Sequence, residues 1–412
     1  MPEAYIIDAV RTPRGIGKVG KGSLAHLHPQ VLGATVLKAI KDRNNLKTDE
    51  VDDIIWGCAT QVDKQGADLG RMSALLAGYD VKASGVTLDR FCGSGITSVS
   101  FGAGQIMSGM EDLVVAGGTD MMSFTASLAD PTRLPLMDKD NPQLRELHPQ
   151  SNQGVCADAI ATIEGISREA TEELAVESQK RATRAIAEGR FEKSLVAVHN
   201  EDGSVALDHE EFPRPNTTRE SLAGLKASFA ALADIPVDDK GNTYRSLINK
   251  KYPDVDIQHI HHAGNSSGVV DGSAAILMAS PEYAKKHGWR PRAKIVTAVN
   301  VGDCPTLMLN APVPAAKKAL QRAGLTKNDI DVWEINEAFA VVAEKFIRDL
   351  DLPRDKVNIN GGAMALGHPI GATGSILIGT ALDELERTGG KYALVTMCAA
   401  GGMAPAIIIE RL

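Results

Sequence analysis

Three glycine-rich segments, far apart in the chain, each carry a side chain suited to acyl transfer. They are residues 90–95 with Cys92, residues 360–371 with His368, and residues 397–402 with Cys398. A thiol attacks carbon only as the thiolate, so a catalytic cysteine needs a base or a helix N-terminus nearby. Glycines beside the reactive residue let backbone amides approach a substrate oxygen, because no Cβ stands in the way. Together the three segments predict an acyl-transfer site with two thiols and one imidazole.

Cys92 lies between a strand-like stretch, residues 86–91, and a predicted helix that begins at Gly95. At a helix N-terminus the helix dipole lowers the pKa of a thiol, so we expect Cys92 to be reactive. The alternative is a small buried hydrophobic residue, which is the usual role of a single cysteine. The neighbouring glycines and the other two segments favour the reactive interpretation.

His368 stands between Gly367 and Pro369, in a turn that opens a helix predicted from Gly371. An imidazole is a suitable base for a thiol near neutral pH, and a structural turn histidine is the alternative. Cys398 ends a buried strand. A second thiol at that place could carry a proton to or from carbon, whereas taken alone it would be interpreted as structural.

Asn336 follows a strand and starts a predicted helix, which makes it either an N-cap or a polar group that orients a water or an oxyanion. Its neighbour Glu337 is either a partner of the helix dipole or a part of the site. Residues 264–272 form another small-residue junction between a strand and a helix. Their glycines either permit tight packing or let a long, thin ligand lie against the backbone.

Composition limits the classes of function. The 412 residues exceed the usual size of one hydrophobic core, so we expect two or more domains. A net charge of −8 without a basic stripe argues against a nucleic-acid partner. The N-terminus lacks a signal-peptide pattern, and the longest apolar runs, such as residues 404–409, are too short to span a bilayer. We therefore expect no membrane partner.

The cysteines and histidines argue against a structural metal. Five cysteines are an odd number without close pairs, which favours free thiols in a reducing cytoplasm over a disulfide framework or a zinc site. His259, His261 and His262 cluster on an extended segment. No acidic residue or cysteine is suitably spaced beside them in sequence, so we expect no metal there.

The chain repeats itself at the scale of a domain. The matching pairs of segments are residues 4–10 with 293–299, 46–55 with 325–334, and 112–118 with 392–398. Helical stretches alternate with these strands, which predicts parallel sheets covered on both faces. We therefore predict two similar α/β halves, residues 1–280 and 281–412.

The first half is longer, and its excess lies between about residues 122 and 250. Turn-forming stretches occur there at 130–135 and 212–219, and an amphipathic helix is predicted from Ser167, as N-cap, to Ala187. A long insert in a compact unit is usually a lid or a binding element.

The motifs resemble those of the thiolase family, the 3-oxoacyl-CoA thiolases and acetyl-CoA acetyltransferases, over essentially the whole chain. They are Cys92-Gly93-Ser94-Gly95, Asn336-Glu337-Ala338-Phe339, Gly367-His368-Pro369-Ile370-Gly371, and Cys398 before Gly401-Gly402. The resemblance implies a duplicated, five-layered αβαβα fold of the α/β class, with five-stranded sheets and a loop domain inserted in the N-terminal half.

The resemblance also implies roles for individual residues. Cys92 would carry the acyl group as a thioester, His368 would deprotonate it, and Cys398 would act as acid and base at the acetyl carbon. Asn336 would hold a water that forms one oxyanion hole with His368, and the amides of Cys92 and Ala400 would form the other. The implied coenzyme A contacts are Ser267 in the pantetheine tunnel, Met308 and Phe339 at the acyl end, and Lys226.

The implied reaction is the cleavage of 3-oxoacyl-CoA by CoA to acyl-CoA and acetyl-CoA, in fatty-acid β-oxidation or a related degradation. The alternative is biosynthetic condensation of two acetyl-CoA molecules. A decarboxylating ketoacyl synthase and a non-catalytic thiolase-like lipid-binding protein are less favoured, because Cys92, His368 and Cys398 are all present. Coenzyme A would be a co-substrate, with no covalently bound cofactor and no metal, and the chain would form a homodimer or homotetramer.

Departures from the family pattern concern the acyl pocket. They are found at residues 151–158, at residues 309–311, at residues 399–400 and at His262, where relatives usually have threonine. They favour a longer, bulky or branched acyl group.

Overall fold

The computed structural model describes residues 3–128 and 134–412. The turn-forming stretch 130–133 of the predicted insert lies outside the described residues. The strands are β1 (Tyr5–Arg11), β2 (Gly15–Ile16), β3 (Asp53–Gly57), β4 (Val86–Leu88), β5 (Leu113–Met121), β6 (Val198–His199), β7 (Val205–Leu207), β8 (Val270–Ala279), β9 (Ala293–Gly302), β10 (Val332–Ile335), β11 (Tyr392–Thr396) and β12 (Met403–Arg411).

The helices of the described residues fall in the same alternation. They are α1 (Pro29–Arg43), α2 (Leu69–Leu76), α3 (Ser94–Ser108), α4 (Met122–Ser127), α5 (Pro142–Leu147), α6 (Gln153–Glu164), α7 (Arg168–Ala187), α8 (Arg219–Ala223), α9 (Ala230–Ala233), α10 (Tyr244–Asn249), α11 (Pro281–Lys286), α12 (Pro312–Ala323), α13 (Ala340–Leu350), α14 (Ala363–Leu366) and α15 (Ile370–Thr388). No helix in residues 3–128 or 134–412 is long and apolar enough to cross a membrane.

The sheet shows the duplication directly. Its strand order is β4-β3-β5-β8-β1 in the first half and continues as β9-β12-β11-β10 in the second, joined where β1 pairs with β9. A short parallel bridge between Trp333 and Val357 occupies the place in the second half that β4 has in the first. The repeated segments of the sequence correspond to β1 and β9, to β3 and β10, and to β5 and β11. The duplicated α/β fold is therefore confirmed.

The expectation of parallel sheets is only partly correct. β3 pairs in parallel with β4 and β5, and β10 pairs in parallel with β11. β8 and β12, however, run antiparallel to both of their neighbours. Each half thus ends in a strand that is antiparallel to its neighbours. In the first half the insert separates β8 from β5 along the chain. In the second half the corresponding connection is the glycine-containing turn between β11 and β12.

The helices α3 and α15 lie between the two halves of the sheet and form the middle layer. α15 is buried on almost every side, which is typical of a helix covered by two layers. The two helices meet at glycines: a Cβ on Gly95 would lie 2.8 Å from the amide nitrogen of Ser375, and one on Gly374 would lie 2.2 Å from that of Ile96. The glycines after Cys92 and His368 therefore bring both segments together.

The outer layers complete the order αβαβα. Helices α1 and α2 contact the first half of the sheet, and α12 contacts the second. The predicted helix of the insert is confirmed as α7, with the Ser167 side chain accepting a hydrogen bond from the Ala170 amide. α7 packs against α13 and α14 and so ties the insert to the second half.

Candidate functional site

Cys92 lies just before the N-terminus of α3, at the end of the middle layer. Gly93 is the N-cap of that helix and would clash with Pro405 of β12 if it carried a Cβ. The preceding residue, Phe91, has a positive φ of 49°, an uncommon conformation for a residue with a side chain. The tight turn thus aims Cys92 between the two halves rather than out into solvent, and the residue is 7% exposed.

The expectation of a lowered Cys92 pKa is wrong. Burial, together with the negative charge of Asp120, raises the pKa of the thiol to about 12. The backbone amide of Cys92 and the Gln153 side chain favour the thiolate, but they do not outweigh the loss of solvent. Cys92 therefore rests as a thiol and needs a base to become nucleophilic.

His368 has the state that a base for such a thiol requires. Burial lowers the pKa of its imidazole to about 4, so the ring is neutral at physiological pH. Its Nδ1 lies 2.6 Å from Oγ1 of Thr373, one turn into α15, while its Nε2 has no hydrogen-bond partner. When Nδ1–H donates to Thr373, the tautomer leaves a lone pair on Nε2.

Cys398 lies two residues beyond β11 and is buried. Burial and the negative charge of a Cys92 thiolate both raise the pKa of its thiol. The second effect requires that the two thiols are close in space. The structure therefore brings Cys92, from the first half, and Cys398, from the second, into one buried region.

Asn336 is not a helix N-cap. Helix α13 begins only at Ala340, with Phe339 as its N-cap residue. The intervening stretch pairs instead with residues 265–267: the Ser267 amide donates to the Ala338 carbonyl, and the Ala340 amide donates to the Asn265 carbonyl. Asn336 is left at the end of β10, buried, with neither side-chain atom hydrogen bonded within the described chain.

Ala400 lies in the tight turn that joins β11 to β12. The amide of Ala399 donates to the Met403 carbonyl, and that of Met403 donates back to the Ala399 carbonyl. Gly401 and Gly402 both have positive φ, near 78°, which permits this reversal. The turn holds the Ala400 backbone in the same buried region as Cys398.

Glu337 is part of the scaffold. Its buried carboxylate accepts hydrogen bonds from Ser178, from Asn358 and from the Met364 amide. These bonds tie α7 to the segments around β10 and α14. Both of its oxygens already accept from the scaffold, so Glu337 holds the site together rather than taking part in it.

A cavity of about 570 Å³ opens beside the site, a volume within the usual range of ligand pockets. Ser267 and Phe339 both line it, and so does Gly268, whose carbonyl accepts a hydrogen bond from the His368 amide. One wall therefore touches the backbone of the candidate base. Two predicted contacts lie elsewhere. Met308 is fully buried in the core, and Lys226 is exposed outside the cavity.

The three clustered histidines bind carboxylates. Nδ1 of His259 and Nδ1 of His261 lie 2.6 and 2.7 Å from Asp158, and Nε2 of His262 lies 3.1 Å from Glu172. The acidic partners come from α6 and α7 and are about 100 residues away in sequence, which is why spacing alone did not find them. Within the described residues no group of three or more His, Cys, Asp or Glu could hold a metal ion.

Sequence reasoning missed the residues that support the site. Thr373 contacts His368, and Gln153 contacts Cys92. The cavity also has two cationic residues, Lys18 and Arg214, together with the aromatic ring of Phe229. The position of Thr373 five residues after His368, at the start of the same helix, was the one signal visible in the sequence.

Comparison with known proteins identifies the family. Residues 4–234 match the model of the thiolase N-terminal domain, and residues 289–411 match that of the thiolase C-terminal domain. The chain therefore belongs to the thiolase family, and it is an enzyme, an acyltransferase of the thiolase type.

Characterised relatives cover the whole chain. It is 39% identical to the steroid 3-ketoacyl-CoA thiolase FadA6 of Mycobacterium tuberculosis, over 100% of this chain and 95% of the relative. It is 38% identical to a β-ketoadipyl-CoA thiolase of Acinetobacter baylyi, over 100% of both chains. The structure of human mitochondrial 3-ketoacyl-CoA thiolase in complex with CoA superposes with a TM-score of 0.84 at 32% identity, over 100% of this chain and 98% of the human chain.

Proposed function

We propose that this thiolase cleaves a 3-oxoacyl-CoA with CoA, giving a shortened acyl-CoA and acetyl-CoA, and that it acts in degradation. The proposal rests on two observations: Cys92 and Cys398 lie in one buried region, and the helices that follow Cys92 and His368 pack against each other at their glycines. Nε2 of the neutral His368 ring has no hydrogen-bond partner in the described residues. The degradative direction agrees with the names of the relatives, a steroid 3-ketoacyl-CoA thiolase and a β-ketoadipyl-CoA thiolase. Coenzyme A is then a co-substrate that leaves with the product.

In the first half-reaction His368 Nε2 takes the proton of Cys92, and the thiolate attacks the 3-oxo carbon. A carbon–sulfur bond forms, and the bond between C2 and C3 breaks with its electron pair moving onto acetyl-CoA as an enolate. Cys398 gives its proton to C2, and acetyl-CoA leaves. The raised pKa of Cys398 keeps that proton in place until a strong carbon base appears.

In the second half-reaction Cys398, now a thiolate, takes the proton of the CoA thiol. The CoA thiolate attacks the acyl carbon on Cys92, a new thioester forms, and the Cys92 sulfur leaves with the proton that His368 returns. Both thiols end in their starting state, so the cycle closes without a further reactant.

Negative charge develops on two different oxygens, so two sets of donors are needed. The acyl oxygen is one bond from the carbon held by Cys92, and we assign it to the backbone amides of Cys92 and Ala400. The enolate oxygen of acetyl-CoA we assign to His368 and a water held by Asn336. The unpaired side-chain atoms of Asn336 support this assignment.

The cavity beside His368 is the proposed path of coenzyme A. Ser267 and Phe339 would contact the pantetheine and the acyl end, and the cations Lys18 and Arg214 suit the phosphates. For Met308 and Lys226 the coenzyme A contact stays a prediction, since neither lines this cavity.

The proposed acyl group is longer or bulkier than acetoacetyl. The names of both relatives, a steroid 3-ketoacyl-CoA thiolase and a β-ketoadipyl-CoA thiolase, specify such compounds. The departures at residues 151–158 fall on α6, whose Gln153 contacts Cys92. Changes on that helix therefore act close to the carbon that Cys92 holds.

We also propose a homodimer or homotetramer in the cytoplasm. β4 is an edge strand, and the large side chains Leu76, Val81, Val86 and Phe101 around it are between 44% and 77% exposed. Such apolar surface beside an unpaired edge favours burial against another copy. All five cysteines are free thiols, which suits a reducing compartment.

The test is a thiolysis panel of short, long, cyclic and dicarboxylic 3-oxoacyl-CoA substrates, with light scattering of the purified enzyme for its mass. We expect CoA-dependent cleavage with kcat/KM highest for a long, cyclic or dicarboxylic substrate. Preference for acetoacetyl-CoA alone would overturn the proposed acyl group. Condensation that requires malonyl-CoA, without thiolysis, would overturn the reaction itself.

A further inference from the structure

A small chamber lies beside Asn336, and its lining shares no residue with that of the coenzyme A cavity. Its volume is about 10 Å³, close to the smallest that holds one water molecule. The chamber lies between β10 and the first half of α15. Its walls are formed by Arg14, Glu334, Asn336, Gly361, Gly362, Ala363, Leu366, Gly367, Thr373, Leu377 and Thr380.

The chamber touches the candidate site at two places, Asn336 and the residue that supports His368. Asn336 lines it directly, and Thr373, the partner of His368 Nδ1, lines it from α15. The same chamber contains Glu334, which the mechanism does not use. Both carboxyl oxygens of Glu334 and both side-chain polar atoms of Asn336 are buried without a hydrogen-bond partner in the described chain.

The placement of Glu334 follows from the strand. Along β10, Trp333 packs outward against Phe346 of α13, so Glu334 points to the opposite face, toward α15. There it meets Thr373, Leu377 and Thr380, which recur at helical spacing on one side of α15.

Burying a carboxyl group costs folding free energy unless the group is hydrogen bonded or paired with a cation. Glu334 is 1% exposed, and the one lining cation, Arg14, already pairs with Glu210 at 2.8 Å. Burial and the negative charges of Glu337 and Glu384 raise the pKa of Glu334 well above its ordinary value. The group is then a neutral acid, which can donate one hydrogen bond and accept others.

We propose that Glu334 is a positioning residue for the enolate-binding side of the site: through a water in the chamber it hydrogen bonds Asn336 and fixes the orientation of that amide. The inference rests on the proposed function, in which Asn336 orients the water that meets the enolate oxygen. Glu334 itself does not touch the substrate. Its contribution is to hold Asn336 before the charge develops, as preorganised donors must be held.

Separate assays of the two half-reactions distinguish this positioning role from a general loss of folding or activity. Thiolysis forms the enolate and so requires the water held by Asn336. Exchange of isotope-labelled CoA into an acyl-CoA requires Cys92, the proton transfers of His368 and Cys398, and the amide side, but it forms no enolate. Both assays use the best substrate of the panel above and its acyl-CoA product. Glu334→Leu should lower kcat of thiolysis about tenfold while changing KM for CoA and the exchange rate less than about twofold.

Glu334→Gln tests the chemistry of the group. An amide can also donate and accept hydrogen bonds, so this variant should retain at least about a third of parental kcat. If Glu334 acted as an ionised carboxylate, the Gln variant would fail as badly as the Leu variant, and the inference would be wrong. Glu334→Ala is made beside Glu334→Leu, so that a folding defect in one leaves the comparison intact. Ile378→Val is the packing control, because Ile378 is buried on α15 but does not line the chamber.

Asn336→Ala keeps the two proposals distinguishable. If it lowers thiolysis selectively and the Glu334 variants do not, the positioning role fails and the site assignment stands. If Asn336→Ala itself spares thiolysis, the assignment of the enolate side fails first. Equal losses of thiolysis and exchange in Glu334→Leu would also overturn the positioning role.

Discussion

The two halves of the molecule place similar groups at the carboxyl ends of equivalent strands and use them in opposite ways. In the first half these are Cys58, after β3, and Asp120, at the end of β5. In the second half they are Asn336, after β10, and Cys398, after β11. Asp120 and Asn336 are both 1% exposed, so burial does not distinguish the two corners.

Hydrogen bonding distinguishes them. Asp120 accepts from the Ala59 amide, the Gly371 amide and Gln65, and the Cys58 thiol lies 3.6 Å from the same carboxylate. Asn336 has no such partner within the described residues. In the first half these polar groups bind the scaffold and hold the N-terminus of α15. In the second half the side-chain atoms of Asn336 stay available to a ligand. In a duplicated fold, an unsatisfied group at an otherwise equivalent place is therefore the better marker of a site.

The largest contrast is expected between two cysteines. Cys92→Ala should lower kcat of thiolysis by at least about 10³-fold, because no other group can carry the acyl chain. Cys58→Ala should leave kcat within about twofold, since its thiol bonds only to the scaffold. Steady-state thiolysis checks the rates, and intact-protein mass after incubation with substrate checks for the acyl adduct. An adduct that persists in Cys92→Ala contradicts the assignment.

Asn336 and Asp120 should differ in what their loss damages. Asn336→Ala should lower kcat about 10²-fold with little change in stability, because the side chain makes no hydrogen bond to another group in the described residues. Asp120→Ala should instead cost about 2–4 kcal/mol of unfolding free energy, since four donors lose their buried acceptor. Denaturant unfolding and thiolysis of the folded fraction are measured on both. Comparable unfolding losses in the two variants would remove the distinction between the corners.

Sequence patterns were sufficient for the fold class and for the segments that carry the candidate reactive groups, because both depend on local signals. The repeats mark equivalent strands, and the glycines at 95 and 371 mark the helix ends that carry Cys92 and His368. The supporting contacts are another matter. Gln153 reaches Cys92 from an insert 60 residues away, and Asp120 reaches α15 across 250 residues. No local pattern encodes such contacts.

The errors have the same origin. The Cys92 pKa was expected to fall because a helix N-terminus is visible in sequence, whereas the burial that raises it is a tertiary property. The sequence predicts an N-cap as one of two roles for Asn336. Residues 337–339 pair with the 265–267 segment instead, so the helix begins only at Ala340. Glu334 interrupts an otherwise apolar strand. No pattern in the neighbouring sequence marks Glu334, because the chamber that it lines is formed by tertiary contacts.

Two groups should give stability opposite dependences on pH. The pKa of His368 falls from 6.5 to about 4, so the unfolded chain binds the extra proton between these values and stability is lost as pH falls. The pKa of Asp120 rises from 3.8 to about 6, so the folded chain binds the extra proton and stability is lost as pH rises. Each effect amounts to about 3 kcal/mol over its window.

Removing each group in turn isolates its effect. Denaturant unfolding is measured from pH 4 to 7 on the parent, on His368→Gln and on Asp120→Asn. The stability of the parent relative to His368→Gln should rise with pH, and its stability relative to Asp120→Asn should fall. If both relative stabilities changed in the same direction with pH, the pKa of one of the two groups would be shifted in the direction opposite to that given above.

The smallest expected effect concerns Thr373, which supports His368 in the second half. Thr373→Val keeps the shape of the side chain and removes only the hydroxyl that meets Nδ1. The imidazole then loses the contact that fixes its tautomer and orientation, so kcat/KM should fall about tenfold while the melting temperature changes little. Thr380→Val, on the same face of α15, is the matched control. An equal loss in both variants would assign the effect to packing of the helix, and an unchanged kcat/KM in Thr373→Val would mean that His368 is oriented by its burial alone.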